Sequence, residues 1–301
     1  MADRRTDRRN FLKGAGLVLG GAAAAPFLAS EDRNTRESKK KCGGAQAETD
    51  PVPATGLRLG MASYSFRAFG LDETIAMTQR LGLTRISLKS MHLPLENTPA
   101  QITTAVFKVR SAGIEPYSGG VVYMTNAEEV EGAFAYAKAA GMEMLVGVPN
   151  HELLPLVAAM VKKFDLKMAI HNHGPTDKIY PSPESAYEKI KALDRRLGVC
   201  IDVGHTQRCG LDPSVSAERC FDRLHDVHIK DVTAATGAGA TLEAGRGVVD
   251  IPKFLRTLLR LGYAGTVSLE YEKDEKDPLP GAAESIGYFR GVLATLGAKA
   301  L

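Results

Sequence analysis

The 301-residue sequence has no long apolar run, no paired-cysteine motif, no glycine-rich phosphate loop and, over most of its length, no net charge. Each absence closes off a class of function. A comfortable transmembrane helix needs about 20 apolar residues, and GLVLGGAAAAPFLAS at 16–30 is too short and glycine-rich to qualify. The formal charge of +3 sits wholly in the head: residues 1–50 hold ten Lys/Arg and seven Asp/Glu, leaving 28 of each sign beyond them. A neutral body offers no bulk attraction for nucleic acid or an anionic membrane, so the expected partner is a small molecule. The cysteines at 42, 200, 209 and 220 form no CxxC pair. Cys200, Cys209 and Cys220 fall at core or helix positions and read as small buried hydrophobes. A Cys200–Cys209 or Cys209–Cys220 disulfide stays open on spacing alone, and Cys42 has no assigned role. After the first apolar run stands SYSFRAFG (63–70), and the GAGA at 237–240 lacks the GxGxxG pattern, which argues against a doubly wound nucleotide-binding sheet.

What is present begins with an address. RRNFLKG (8–14) precedes the small-residue apolar stretch, a charged segment followed by a short hydrophobic one. The pattern resembles a twin-arginine export signal over residues 1–30 and points to the periplasm, with no stable membrane anchor. Residues 31–55 are polar, charged and without periodicity, the composition of a disordered linker. The folded domain is expected over 56–301.

In that domain short apolar runs recur at 57–62, 84–89, 113–117, 143–148, 166–171, 197–202, 224–230 and 265–270. Segments with helical spacing lie between and after them, at 72–82, 100–112, 126–140, 151–164, 183–194, 213–221, 251–261 and 282–297. Pro near the first helical position marks several starts, as in Ser182-Pro183-Glu184 and Asp250-Ile251-Pro252. Ser182 and Ser185 are not expected to complete a capping box. Eight strand–helix units in about 245 residues predict a single (β/α)8 TIM barrel, an α/β fold with a parallel sheet.

Chemistry in such a barrel gathers at the C-terminal ends of the strands. Five of the seven histidines fall at or just beyond predicted strand ends: His92, His171, His173, His205 and His228. Glu115 (strand three), Asp202 (strand six) and Glu270 (strand eight) add carboxylates, with Glu272 two residues on and on the same face. Bland readings stand beside these: Asp202 as a helix or turn cap, His228 as a satisfied core histidine, Lys89 as a solvated strand-end charge, His92 as a loop histidine. A carboxylate ending a buried strand, as Glu270 does, is costly unless it binds a cation or shares a proton. His, Asp and Glu together suit a divalent ion such as Mn²⁺, Zn²⁺, Co²⁺ or Mg²⁺, and no thiolate is expected to help.

These motifs carry a resemblance. SYSFR (63–67), HNHG (171–174), IDVGH (201–205), DVHIKD (226–231), GRGVVDIP (245–252) and LEYE (269–272) resemble the sugar phosphate isomerase/epimerase superfamily of xylose isomerase-like TIM barrels. The resemblance covers about residues 57–297. It implies a metal held at the ends of strands five to eight by Glu, Asp, His and Glu, which here correspond to His171, Asp202, His228 and Glu270. The first position departs, because family epimerases pair that first Glu with the last as two bases on opposite faces of an enediolate. With two neutral imidazoles the metal is less neutralised and a stronger Lewis acid. A second proton carrier is then expected from Lys89, His92 or Glu115, with Glu270 as the carboxylate base. His173, His205 and Lys230 are expected to hold substrate hydroxyls, and Arg246 in the GRG turn an anionic or hydroxylated group.

The function so implied is a metal-dependent isomerase or epimerase of a sugar, keto-sugar or polyol. Its alternatives are a lyase or hydrolase cleaving 3-keto-glycosides through the same enolate, and a non-catalytic sugar-binding barrel. Phosphodiester hydrolysis, as in the related barrel of endonuclease IV, fits poorly with a neutral body. Only Lys178 stands in the loop after strand five, which favours sugars or glycosides over sugar phosphates. An oligomer is compatible with the sequence.

Overall fold

A computed structural model describes residues 56–301. The expected export signal, the linker and Cys42 lie outside the described residues. Eight parallel strands close into a barrel in sequence order: Arg58–Ala62, Arg85–Leu88, Glu115–Met124, Met144–Pro149, Lys167–His171, Leu197–Asp202, Leu224–Ile229 and Thr266–Leu269. Closure comes from the first and eighth strands, which pair from Arg58↔Thr266 to Met61↔Leu269. Each run predicted from apolar clustering is a strand, because strands buried on both faces read as continuous hydrophobic stretches.

The main helices span Leu71–Arg80, Pro99–Ser111, Ala127–Ala140, Leu154–Phe164, Pro183–Ile190, Pro213–Cys220, Ile251–Arg260 and Leu279–Thr295. In Ile251–Arg260 the buried Ile251, Phe254, Leu255, Leu258 and Leu259 form one stripe, and Lys253, Arg256 and Arg260 stay in solvent. Asp250 caps this helix by accepting from the Lys253 N–H (3.0 Å). Contrary to expectation, Ser185 completes a capping box with Ser182, its hydroxyl taking the part that Glu or Gln usually plays. Ser185 N–H donates to Ser182 Oγ (3.3 Å) and Ser182 N–H donates to Ser185 Oγ (3.2 Å).

The third strand differs most from expectation. It runs ten residues, Glu115–Met124, through Gly119-Gly120, with a register shift against the fourth strand between Gly119 and Val122. A short helix, Val203–Arg208, follows the sixth strand directly. A two-stranded ladder pairs Asp231–Val232 with Thr241–Leu242 beside the seventh. Both additions lie at the C-terminal rim. Cys200, Cys209 and Cys220 are free thiols, so neither disulfide left open by spacing is formed.

Candidate metal centre at the C-terminal rim

Four strand ends converge on one spot. His171, Asp202, His228 and Glu270 each offer a ligand atom, and these atoms lie within 4.8 Å of one another. All four side chains are buried, at 1%, 0%, 1% and 4% exposure. His171 Nε2 is 3.2 Å from His228 Nδ1 and 3.5 Å from Asp202 Oδ2, and His228 Nδ1 is 3.4 Å from Glu270 Oε1. The convergence follows from topology: the last residues of adjacent parallel strands share one rim, and alternation turns them all inward.

Asp202 divides its two oxygens between the readings that the sequence left open. Oδ1 accepts from the His205 N–H (2.7 Å) and caps the short helix, while Oδ2 faces the cluster. The HNH segment is divided likewise. His171 and His173 lean the same way, with ring centroids 4.5 Å apart. Asn172 points to the other face, where its Oδ1 accepts from the Asp202 N–H (2.9 Å) and its amide donates to Thr206 Oγ1 (3.3 Å). Gly174 then turns the chain at φ +89°, where an added Cβ would press on the His205 ring at 3.4 Å.

Lys230 is buried among the same carboxylates, with Nζ 2.7 Å from Glu270 Oε2, 3.0 Å from Asp202 Oδ2 and 3.2 Å from Glu272 Oε2. The glycine of IDVGH makes room for it: a Cβ on Gly204 would sit 2.5 Å from Lys230 Cγ. Burial opposes charge on Lys230, but the three carboxylates outweigh it and hold its pKa well up. Burial likewise pushes Glu270 up, and Lys230 and His228 outweigh it, leaving the carboxyl well below its usual range. For Asp202 burial is overcome by His205, Lys230 and His171, so it too stays ionised. Glu272 is raised, by burial first. Asp202 and Glu270, both held ionised, outnumber the one ammonium between them, so negative charge stays uncompensated in a pocket where unpaired charge is costly. The ring nitrogens that face the cluster, His171 Nε2 and His228 Nδ1, meet each other and carboxylate oxygens. A divalent cation would balance that charge, and two imidazoles with two carboxylates are a fitting donor set for it.

Around the cluster stand groups that could meet a substrate. His173 Nε2 is 3.1 Å from Tyr123 Oη, and His173 Nδ1 is 3.3 Å from Asp177 Oδ2. Arg208 donates to His205 Nδ1 (3.0 Å), and burial lowers the His205 pKa to about 4, so that ring is neutral at ordinary pH. Lys89 Nζ lies 5.1 Å from the centre of the Tyr64 ring, and burial lowers its pKa against the pull of Glu270 and Glu272. Below His228, Asp226 Oδ2 is 3.9 Å from the Nε2 that faces away from the cluster. Tyr117 Oη donates to the Asp226 carboxylate at 3.1 Å.

Three expected site residues stand elsewhere. Glu115 opens the third strand instead of ending it, and pairs with Arg110 at the opposite end of the barrel (2.8 Å). The misplacement arose because the apolar run 113–117 is only the start of a longer strand. His92 is buried and fully engaged: Nδ1 meets Ser63 Oγ at 2.9 Å, and Nε2 faces the Phe66 and Phe69 carbonyls at 3.3 and 3.2 Å. It fastens the SYSFR turn. Arg246 is exposed and forked onto Glu284 at 2.6 and 2.7 Å. The GRG turn is shaped instead by Asp231, whose carboxylate accepts from the N–H groups of Gly245 (2.9 Å), Gly247 (2.9 Å) and Val249 (3.1 Å).

Sequence reasoning also missed neighbours that the structure brings in. Tyr123 and Asp177 lie on the third strand's extension and in the loop after the fifth, and the VVYM run (121–124) was the available signal for the former. A thiol is present as well, contrary to expectation. Cys200 forms a second group with His171 and His228, one potential ligand atom from each within 4.8 Å of the others, because it faces inward two residues before Asp202.

Comparison with known proteins gives a consistent picture. The profile of the xylose isomerase-like TIM barrels matches residues 70–292. The rhizopine catabolism protein MocC of Rhizobium meliloti is 28% identical over 147 residues, 44% of this chain and 45% of that protein. The chain spans about half the length of the curated relatives it matches. A D-tagatose 3-epimerase-like protein superposes with a TM-score of 0.67 at 18% identity, covering 80% of this chain and 98% of the other. The IolI protein, whose structure holds a zinc atom, superposes with a TM-score of 0.66 at 17% identity, with the same coverage.

Proposed function

Since the chain belongs to the xylose isomerase-like TIM-barrel family, we propose that it is a divalent-metal-dependent isomerase or epimerase of a sugar, keto-sugar or polyol. The observation that carries this reading is the buried convergence of His171, Asp202, His228 and Glu270 at the C-terminal rim, with more carboxylate charge than Lys230 alone neutralises. These four residues would hold the ion, and its identity lies among Mn²⁺, Zn²⁺, Co²⁺ and Mg²⁺. Bound there, it would polarise a substrate carbonyl and stabilise negative charge on the adjacent oxygen.

The chain's own residues divide the remaining work. Lys230 holds Glu270 and Asp202 ionised and fixes their orientation. His173, with Tyr123 and Asp177 on its two nitrogens, and His205 present polar groups for substrate hydroxyls. Lys89, its ammonium destabilised by burial, and Glu270 remain the proton carriers of this reading. Export through residues 1–30, with 31–55 as a linker, belongs to the same proposal and agrees with free sugars or glycosides as substrates.

One observation favours a second reading. His171 supplies an imidazole where a two-base epimerase of this kind needs a carboxylate, so the proton removed need not be returned to the opposite face. Elimination from a 3-keto-glycoside uses a single deprotonation and then loses the aglycone. The test is incubation of metal-loaded full-length protein with keto-sugars and 3-keto-glycosides in D₂O, followed by NMR. Deuterium at one carbon beside the carbonyl supports the isomerase reading, and release of aglycone supports the second. No exchange and no release across the panel would overturn both.

A further inference from the structure

Cys200 lies two residues before Asp202 on the sixth strand, facing the same barrel interior one layer deeper. It pairs in register with His171 on one side and Asp226 on the other, and it is a fully buried free thiol. One potential ligand atom from each of Cys200, His171 and His228 lies within 4.8 Å of the other two, a spacing that one cation can bridge. Each ring also carries a buried nitrogen on the side away from the carboxylate cluster that has no hydrogen-bond partner, His171 Nδ1 and His228 Nε2.

We propose that Cys200, His171 and His228 form a second, deeper metal position that takes thiophilic cations such as Cd²⁺ or Zn²⁺ and, when filled, empties the carboxylate-rich position above it. A thiolate with two imidazoles favours soft and borderline ions, whereas Mn²⁺ and Mg²⁺ favour carboxylate oxygen. Exclusion follows from the rings, because a neutral imidazole has one lone pair to give and therefore serves one ion at a time. The thiol proton leaves to solvent as the sulfur–metal bond forms, and no oxidant or reductant is involved. The inference shares its two imidazoles with the proposed metal centre but does not depend on any reaction there, so it is read without substrate.

The test is a Cd²⁺ titration of full-length metal-free protein, followed by thiolate-to-cadmium charge-transfer absorption. A triple variant, Cys42→Ser with Cys209→Ser and Cys220→Ser, keeps Cys200 as the sole thiol. That variant is expected to show the full absorption, and, if preloaded with Mn²⁺, to release the Mn²⁺ as the band grows. Cys200→Ser is expected to lose the band and bind Cd²⁺ about tenfold or more weakly, while taking up Mn²⁺ as the wild type does. No band in the triple variant, or a full band in Cys200→Ser, overturns the deeper position. A band that grows while Mn²⁺ stays bound overturns the exclusion. Failure of Mn²⁺ to bind any form, with the band intact, would instead count against the carboxylate-rich centre alone.

Discussion

Replacing Lys230 by Met gives the sharpest expectation from the site's charges. The ammonium touches three carboxylates at 2.7, 3.0 and 3.2 Å and is 1% exposed. At about 3 Å and an effective dielectric of about 20, each contact is worth about 5 kcal/mol before desolvation is counted. Desolvation offsets most of that, and removing one partner from a buried ionic cluster costs about 3–5 kcal/mol net. A domain of ordinary stability, about 5–15 kcal/mol, would then be marginal without metal. Lys230→Met also removes the one ammonium among those carboxylates and so raises the negative charge facing the ion. Urea unfolding in chelator should therefore show the full loss, and saturating Mn²⁺ or Zn²⁺ should stabilise the variant by more than it stabilises the wild type. A variant within about 1 kcal/mol of wild type in chelator, or one that gains less from metal, would refute the reasoning.

Other substitutions separate the parts of the account. Asp226 has its pKa raised to about 6, with burial as the first cause. Its ionised form is thus disfavoured in the folded state, and folding loses stability as pH rises from the unfolded value near 4 through 6. Asp226→Asn removes that loss: in chelator it should match wild type at about pH 4 and exceed it by about 3 kcal/mol at pH 8. The same variant should keep metal binding within about tenfold of wild type, because Asp226 Oδ2 stands 3.9 Å from His228 Nε2, beyond hydrogen-bond reach. Glu115→Gln should leave metal content unchanged and cost at most about 1 kcal/mol, since its partner Arg110 is a surface group. Normal metal content but a tenfold loss of turnover in Glu115→Gln would contradict its placement at the far end.

The barrel was legible because eight strands buried on both faces leave unbroken apolar runs, and Pro and Asp caps punctuate the helices between them. His171, Asp202, His228 and Glu270 could be picked out because each is a polar residue ending such a run. What could not be read was any contact that depends on depth or on an atypical strand. Glu115 went to the wrong end because the Gly119-Gly120 pair hides the continuation of its strand. His92 and Arg246 looked free because hydrogen bonds to Ser63 and an ion pair with Glu284 leave no pattern in sequence. Cys200 looked like a core thiol, and it is buried, but the barrel interior at that level also holds His171 and His228.

The central claim is that His171, Asp202, His228 and Glu270 hold a divalent cation, and metal content measures it most directly. Full-length protein, with Asp202→Asn and Glu270→Gln alongside, would be loaded with Mn²⁺ or Zn²⁺, desalted and analysed by plasma mass spectrometry, with circular dichroism confirming the fold. The account predicts about one equivalent in the wild type and little in either folded variant. Wild type without metal after loading, or both variants with a full equivalent, would contradict it.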